Sequence, residues 1–243
     1  MKNKLVATAL EMVIPVLFII LAASSVVATK IVTEEGTVKL NTKKDETFTK
    51  SSLLSYLTKT KSPTIVLRVP QQADRLLEEN RYSKSQFYNT IEKELAKADF
   101  IVRDRALYQK VLDQNVSTDY SKIKELTDTD LILELVSSEE ERYNTNQYTN
   151  HKGKAKITDG PMTLFGHKVE FKLIKVKEND LVGSYTFHFS PCLSSGCIYN
   201  IDRNGTIYTI ANKIVKPYEF VPADKLEEFY KTCAKLLIRE LRS

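Results

Sequence analysis

The chain has no tryptophan, and its 243 residues include only seven glycines, seven prolines, three cysteines and three histidines. Each scarcity removes a class of chemistry. No GxGxxG or GxxxxGK loop is present to cradle a phosphate, and no GxSxG elbow to present a serine. His151, His167 and His188 are spaced unlike an HExxH zinc helix, so no catalytic constellation, metal site or cofactor is expected. Three cysteines cannot build a disulfide-dense miniprotein. The first of them is Cys192, so no lipid-bearing cysteine follows the apolar N-terminal run. Charge of one sign is not in large excess either: 36 Lys and Arg stand against 31 Asp and Glu, a net +5. The basic residues are scattered among acids rather than grouped with aromatics, so nucleic acid is not an expected partner. A chain that is 42% hydrophobic and 28% charged is a globular one.

What is present begins with an address. Lys2 and Lys4 precede an apolar run from Met12 to Ala23, followed by Ser24, Ser25, Val26, Val27 and Ala28. A basic start, a short apolar core and small residues make a secretory signal, with cleavage before Thr29. The rival reading is an uncleaved anchor giving membrane association, because no charge falls between Met12 and Thr29. Both readings export the remainder to the periplasm or cell envelope. Residues 29–62 are rich in Thr and Lys and poor in large apolar side chains, and read as a polar tether. The alternative is an edge strand and a helix containing Leu53, Leu54 and Leu57.

Residues 63–243 read as one domain. TIVLRV at 64–69 is a strand, followed by a helix over 83–98 with Phe87, Ile91, Leu95 and Ala98 on one face. A strand over 99–103 and a helix over 105–114, with Leu107, Val111 and Leu112 inward, come next. A short helix at 120–126 and a strand at 131–136 complete a β-α-β-α-β order. Glu139-Glu140-Glu141 reads as a solvated loop. The period then changes to two at Val169–Leu173 and Tyr185–Phe189, with a turn at Asn179-Asp180 and a hairpin signal at Asn204-Gly205. His188 is expected at a solvent-facing rim. A final helix from Pro222 to Arg242 carries an apolar stripe that includes Cys233. The expected class is α+β, a mixed sheet with helices packed on it, then antiparallel hairpins and a C-terminal helix. Cys192 and Cys197, five positions apart around a Gly-containing turn, are a candidate disulfide in an exported protein.

Residues 87–114, FYNTIEKELAKADFIVRDRALYQKVLDQ, resemble the helix–strand–helix signature of the CsgG/LpoB-like superfamily of bacterial envelope proteins, with Arg103, Asp104 and Arg105 in the motif turn. Asp130–Val136 is similar to the family's next strand, and Phe171–Tyr185 to its long hairpin. The resemblance covers roughly 63–243 and is specific over 87–136. The family holds a curli secretion-channel subunit and lipoproteins that activate peptidoglycan synthases. It implies binding or assembly without catalysis. The chain departs from it in lacking the lipobox cysteine and in having Thr129-Asp130 where the family has Gly-Ala. No long apolar hairpin is evident to face lipid. The leading expectation is thus an exported, non-enzymatic protein with an envelope protein as partner. The alternatives are an oligomeric secretion-channel subunit, and an exported thiol enzyme using Cys192 or Cys197.

Overall fold

The computed structural model describes residues 32–70, 84–114, 124, 127–211 and 214–243. Its strands are β1 (Thr33–Val38), β2 (Glu46–Thr49), β3 (Thr64–Arg68), β4 (Ile101–Val102), β5 (Leu131–Asn150), β6 (Ala155–Lys175), β7 (Asp180–Phe189), β8 (Cys197–Asp202), β9 (Ile207–Ala211) and β10 (Ile214–Pro217). Its helices are α1 (Ser51–Lys59), α2 (Lys84–Lys97), α3 (Arg105–Gln114) and α4 (Ala223–Arg242). Both readings of the N-terminal address fall outside the described residues, as does nearly all of the helix expected over 120–126.

The strands form one mixed sheet in the order β10-β9-β8-β1-β5-β6-β7-β2, with β3 on β5 and β4 on β3. The α+β class read from the sequence is the one found. Its organising element is the β5–β6 hairpin, paired from Leu131↔Lys175 to Thr149↔Ala155. One edge of β5 serves two neighbours. Its first residues pair in parallel with β3, and its last pair antiparallel with β1. The Thr64 hydroxyl and backbone N–H both donate to the Asp130 carboxylate, which fixes the parallel start. Asp130 thus has a structural use at the position where the family resemblance is broken.

Three apolar clusters form on this hairpin among the described residues, the smallest of them Val66, Tyr108, Ile132, Ile174 and Val176. The main core lies between the sheet and the helices. Phe87, Ile91 and Leu95 of α2 and Leu226, Phe229, Tyr230, Cys233 and Leu237 of α4 meet Leu133, Leu135, Phe171, Tyr185 and Phe187 of the sheet. Burying each Leu- or Phe-sized side chain is worth roughly 1.5–3 kcal/mol, which is why the helical stripes settle here. The second core joins the far end of the hairpin to β1, β8 and β9 through Val38, Tyr143, Met162, Leu164, Ile201 and Ile207.

Four local readings change. Residues 33–59, expected as a tether, are built into the fold: β1 pairs with β8 and β5, β2 with β7, and Leu53 and Leu57 of α1 lie buried in the main core. Strands of four and six residues, held largely by ladder hydrogen bonds, leave too short a period to read. Glu139–Glu141 are inside β5 rather than in a loop. In α3 it is Tyr108 that turns inward, onto Val66, Ile132 and Ile174, while Leu107 is exposed. The strand expected at 99–103 contracts because Asp99 takes a left-handed conformation (φ 63°). Phe100 N–H then closes back on the Leu95 carbonyl, ending α2 as a glycine would.

Candidate functional site

The polar groups gather where β5 and β6 pass from one core to the other. A bulge between Leu135 and Ser137 shifts the register, and from there the hairpin carries Ser138 and Glu141 on β5 and His167 on β6. The Glu141 carboxylate is almost fully covered. It accepts from Lys43 Nζ at 2.7 Å and from the Tyr143 hydroxyl at 3.1 Å, and lies 3.0 Å from His188 Nδ1. Burial opposes its ionisation, but the bonds from Lys43, His188 and Tyr143 outweigh burial and hold its carboxyl below the ordinary range. The same burial and the neighbouring Glu141 push the Tyr143 hydroxyl up. His188 is therefore a partner of a covered carboxylate; its side chain is only 10% exposed, not the solvent-facing rim residue expected.

On the helix side, Ser138 Oγ lies 2.7 Å from His167 Nε2 and 2.6 Å from the Tyr230 hydroxyl, so β5, β6 and α4 meet at one buried polar chain. Burial lowers the His167 pKa to about 4, with Glu141 opposing, so the ring is neutral near pH 7. Burial also raises the Tyr230 hydroxyl. A Ser–His contact of this length is the geometry of an activated nucleophile. Here the serine is fully buried beneath α4 and shared with a tyrosine. Its chemistry is that of a three-way pin between sheet and helix.

The loop after β7 carries the expected disulfide, Cys192 to Cys197, with Cα atoms 5.1 Å apart. Cys192 is part of the second core, so the ring is anchored from below. Gly196 closes it at φ +93°, and a Cβ there would lie 2.7 Å from Thr37 Cγ2 and 2.8 Å from the Val38 carbonyl. The turn needs glycine both for its handedness and for its approach to β1. Leu193, within the ring, is 78% exposed, and Ile198, just beyond it, 68%. The disulfide removes both thiols required by the thiol-enzyme alternative. Cys233 is buried, and burial raises its thiol well above the ordinary value.

The motif turn has structural work. Asp104 Oδ1 accepts the Leu107 N–H at 2.6 Å, capping α3. Arg103 reaches the Asp128 carboxylate at 2.8 Å, and the Arg105 guanidinium lies over the Tyr88 ring and 3.6 Å from Glu92. These bonds hold α2, α3 and the approach to β5 together. The turn and the disulfide loop are on different elements, and nothing observed joins them. Among the described residues, no group of three His, Cys, Asp or Glu side chains is placed to hold a metal ion. The Ser138–His167–Tyr230 chain and the Glu141 cluster escape sequence reading. The alternation of Glu139, Glu141 and Tyr143 is the one trace they leave.

No family model matches the chain, and no curated protein matches it. Among solved structures, it is similar to a dodecamer of a PelC variant from Paraburkholderia phytofirmans. That match has 12% identity and a TM-score of 0.37, covering 82% of this chain and 99% of that one. It is also similar to a putative neuraminyllactose-binding hemagglutinin homolog from Helicobacter pylori, with 10% identity and a TM-score of 0.35, covering 75% of this chain and 88% of that one. Likeness this remote says nothing about what this chain binds or does.

Proposed function

We propose that the chain is an exported, non-enzymatic component of the bacterial cell envelope that works by binding another protein. The observation that carries this reading is the disulfide loop. A ring closed by Cys192 and Cys197 belongs to an oxidising compartment. It holds Leu193 out in solvent, with Ile198 just beyond it, two exposed apolar side chains that a partner protein would cover. A side chain held on a disulfide-closed ring loses little ordering entropy on binding, which favours its use as a contact. The apolar segment after Lys2 and Lys4 supports the same compartment.

The test is fractionation of cells making the full chain, with thiol titration before and after reduction. Recovery in the envelope or periplasmic fraction, with two thiols appearing only on reduction, is the expected result. Recovery in the cytoplasm with all three thiols reactive in the unfolded, unreduced protein overturns it.

A further inference from the structure

The long β5–β6 hairpin ends in a basic tip. His151, Lys152, Lys154 and Lys156 follow one another closely there, and all four are exposed. Asn150, itself 6% exposed, fixes the turn: its Oδ1 accepts the backbone N–H of Lys152 at 3.1 Å and of Lys154 at 3.0 Å. Gly153 completes it at φ +72°, with open space where a side chain would stand. Among the described residues, none of the three lysines has an ion-pair partner. The acids at this end are mostly engaged already. Glu34 accepts from the Tyr148 hydroxyl and from Asn150 Nδ2, both at 2.9 Å. Asp159 pairs with Arg203, and Asp202 accepts from the Thr206 N–H and the Tyr208 hydroxyl. Glu35, on β1, stays exposed.

Apolar side chains are exposed at the same end. Ile157, next to Lys156, is 71% exposed, and Val32 is 83% exposed. β1 runs antiparallel to β5 with Gly36 opposite Asn150, so Val32, which precedes β1, lies toward the tip. The segment carrying Lys30 and the uncharged run from Met12 to Thr29 therefore joins the domain at this end. Lysines alone would suit any polyanion. Lysines interleaved with exposed apolar groups suit a lipid surface, where the apolar groups enter the boundary of the acyl chains and the ammonium groups stay among the headgroups.

We infer that the β5–β6 tip rests on an anionic phospholipid bilayer, with Lys152, Lys154 and Lys156 at the headgroup phosphates and Ile157 and Val32 dipping into the interface. Each lysine near such a surface adds a modest attraction, and the fixed turn presents the three together. The contact is peripheral and needs no spanning strand. It holds whether or not the N-terminal run is cleaved, because the tip carries its own charged and apolar groups. It uses a surface the protein-binding reading does not use.

The test uses the full, oxidised chain with an environment-sensitive dye on Ala155→Cys, an exposed position between the lysines. Cys233 is buried and the other two cysteines are bonded, so the dye has one site. A control dye sits on Lys61→Cys. Lys61 precedes β3, which pairs with the start of β5, so the tip is roughly 60 Å away along the strand. Vesicles are phosphatidylcholine alone, or phosphatidylcholine with phosphatidylglycerol and brominated lipid. With phosphatidylglycerol the dye at position 155 should shift to the blue and be quenched, and added salt should reverse both. The dye at position 61 should not respond. Lys152→Glu with Lys154→Glu and Lys156→Glu should weaken tip engagement at least about tenfold, and Ile157→Ser about threefold or more. All four side chains are exposed, so both variants should keep the parent's urea midpoint.

No shift at position 155, the same shift on phosphatidylcholine alone, or equal responses at 155 and 61 overturns the inference, as does undiminished engagement by the triple variant. A shift produced by soluble polyglutamate as readily as by vesicles marks a site for acidic protein and also overturns it. A tip that ignores vesicles on a chain that still captures an envelope protein through Leu193 sinks the lipid contact and leaves the protein-binding reading intact.

Discussion

Replacing His167 by glutamine should flatten the acid side of the stability profile. His167 is 2% exposed, edge-on to Phe229, tilted against Tyr230, and bonded to Ser138 through Nε2. Its pKa falls from 6.5 to about 4, mainly because burial penalises the charged ring. In the unfolded chain the ring takes a proton as pH falls through 6.5, while the folded chain resists until about 4. Between those values the unfolded state binds more protons, so stability falls with falling pH. At about 1.4 kcal/mol per pH unit, the full loss is about 3 kcal/mol, and about 2 kcal/mol of it is reached by pH 5. Glutamine places an amide nitrogen near the position of Nε2 and keeps a bond to Ser138 without titrating. Urea denaturation of the oxidised protein at pH 7.0, 6.0, 5.0 and 4.5 measures the difference directly. The parent protein should lose about 2 kcal/mol more than His167→Gln between pH 7 and pH 5. Equal pH slopes for the two proteins would refute the buried, neutral histidine.

Glu141→Ala should cost about 2–6 kcal/mol at pH 7 by urea denaturation. It strands two covered groups, the Tyr143 hydroxyl and the His188 ring, at roughly 1–3 kcal/mol each, while the half-exposed Lys43 can return to water. The Glu141 carboxyl is held below its ordinary 4.5, so this contribution is complete above that value and is lost as pH falls below it. The gap between parent and Glu141→Ala should therefore narrow only in that acid range. Leu53→Ala should cost about 2–5 kcal/mol, a core penalty measured by the same assay; a cost under 0.5 kcal/mol would return residues 51–59 to the role of a tether. Cys192→Ser with Cys197→Ser should lower stability by about 2 kcal/mol, the loop-closure value for so short a ring, with the far-ultraviolet circular dichroism unchanged.

What the sequence showed and hid divides along physical lines. Period-3.6 stripes long enough to repeat, such as Phe87, Ile91 and Leu95 or Leu226 to Leu237, located α2 and α4 correctly because burial of that face is what forms the helix. Asn204-Gly205 located the β8–β9 turn because Gly205 does adopt a positive φ of 91°. The β5–β6 hairpin was seen only in its inner half. In its outer half the facing core is smaller, and acids such as Glu141 occupy inward positions, so alternation of apolar and polar residues breaks down. The polar appearance of residues 29–62 hid β1 and β2 for a related reason: both strands are short, and ladder pairing asks for backbone groups more than for apolar side chains. The Cys192–Cys197 pair was legible from spacing, but the Ser138–His167–Tyr230 chain joins residues 29 and 92 positions apart, a juxtaposition only the fold creates.

The most direct measurement places a photo-crosslinking amino acid at Leu193 in the full chain and irradiates intact cells. The expected result is a discrete, higher-mass adduct with an envelope protein, formed from the oxidised chain and reduced when Cys192 and Cys197 are both serine. An exposed control at Lys61 should give no such adduct. No adduct at Leu193, or the same pattern from Leu193 and Lys61, would contradict the loop as a protein-binding anchor.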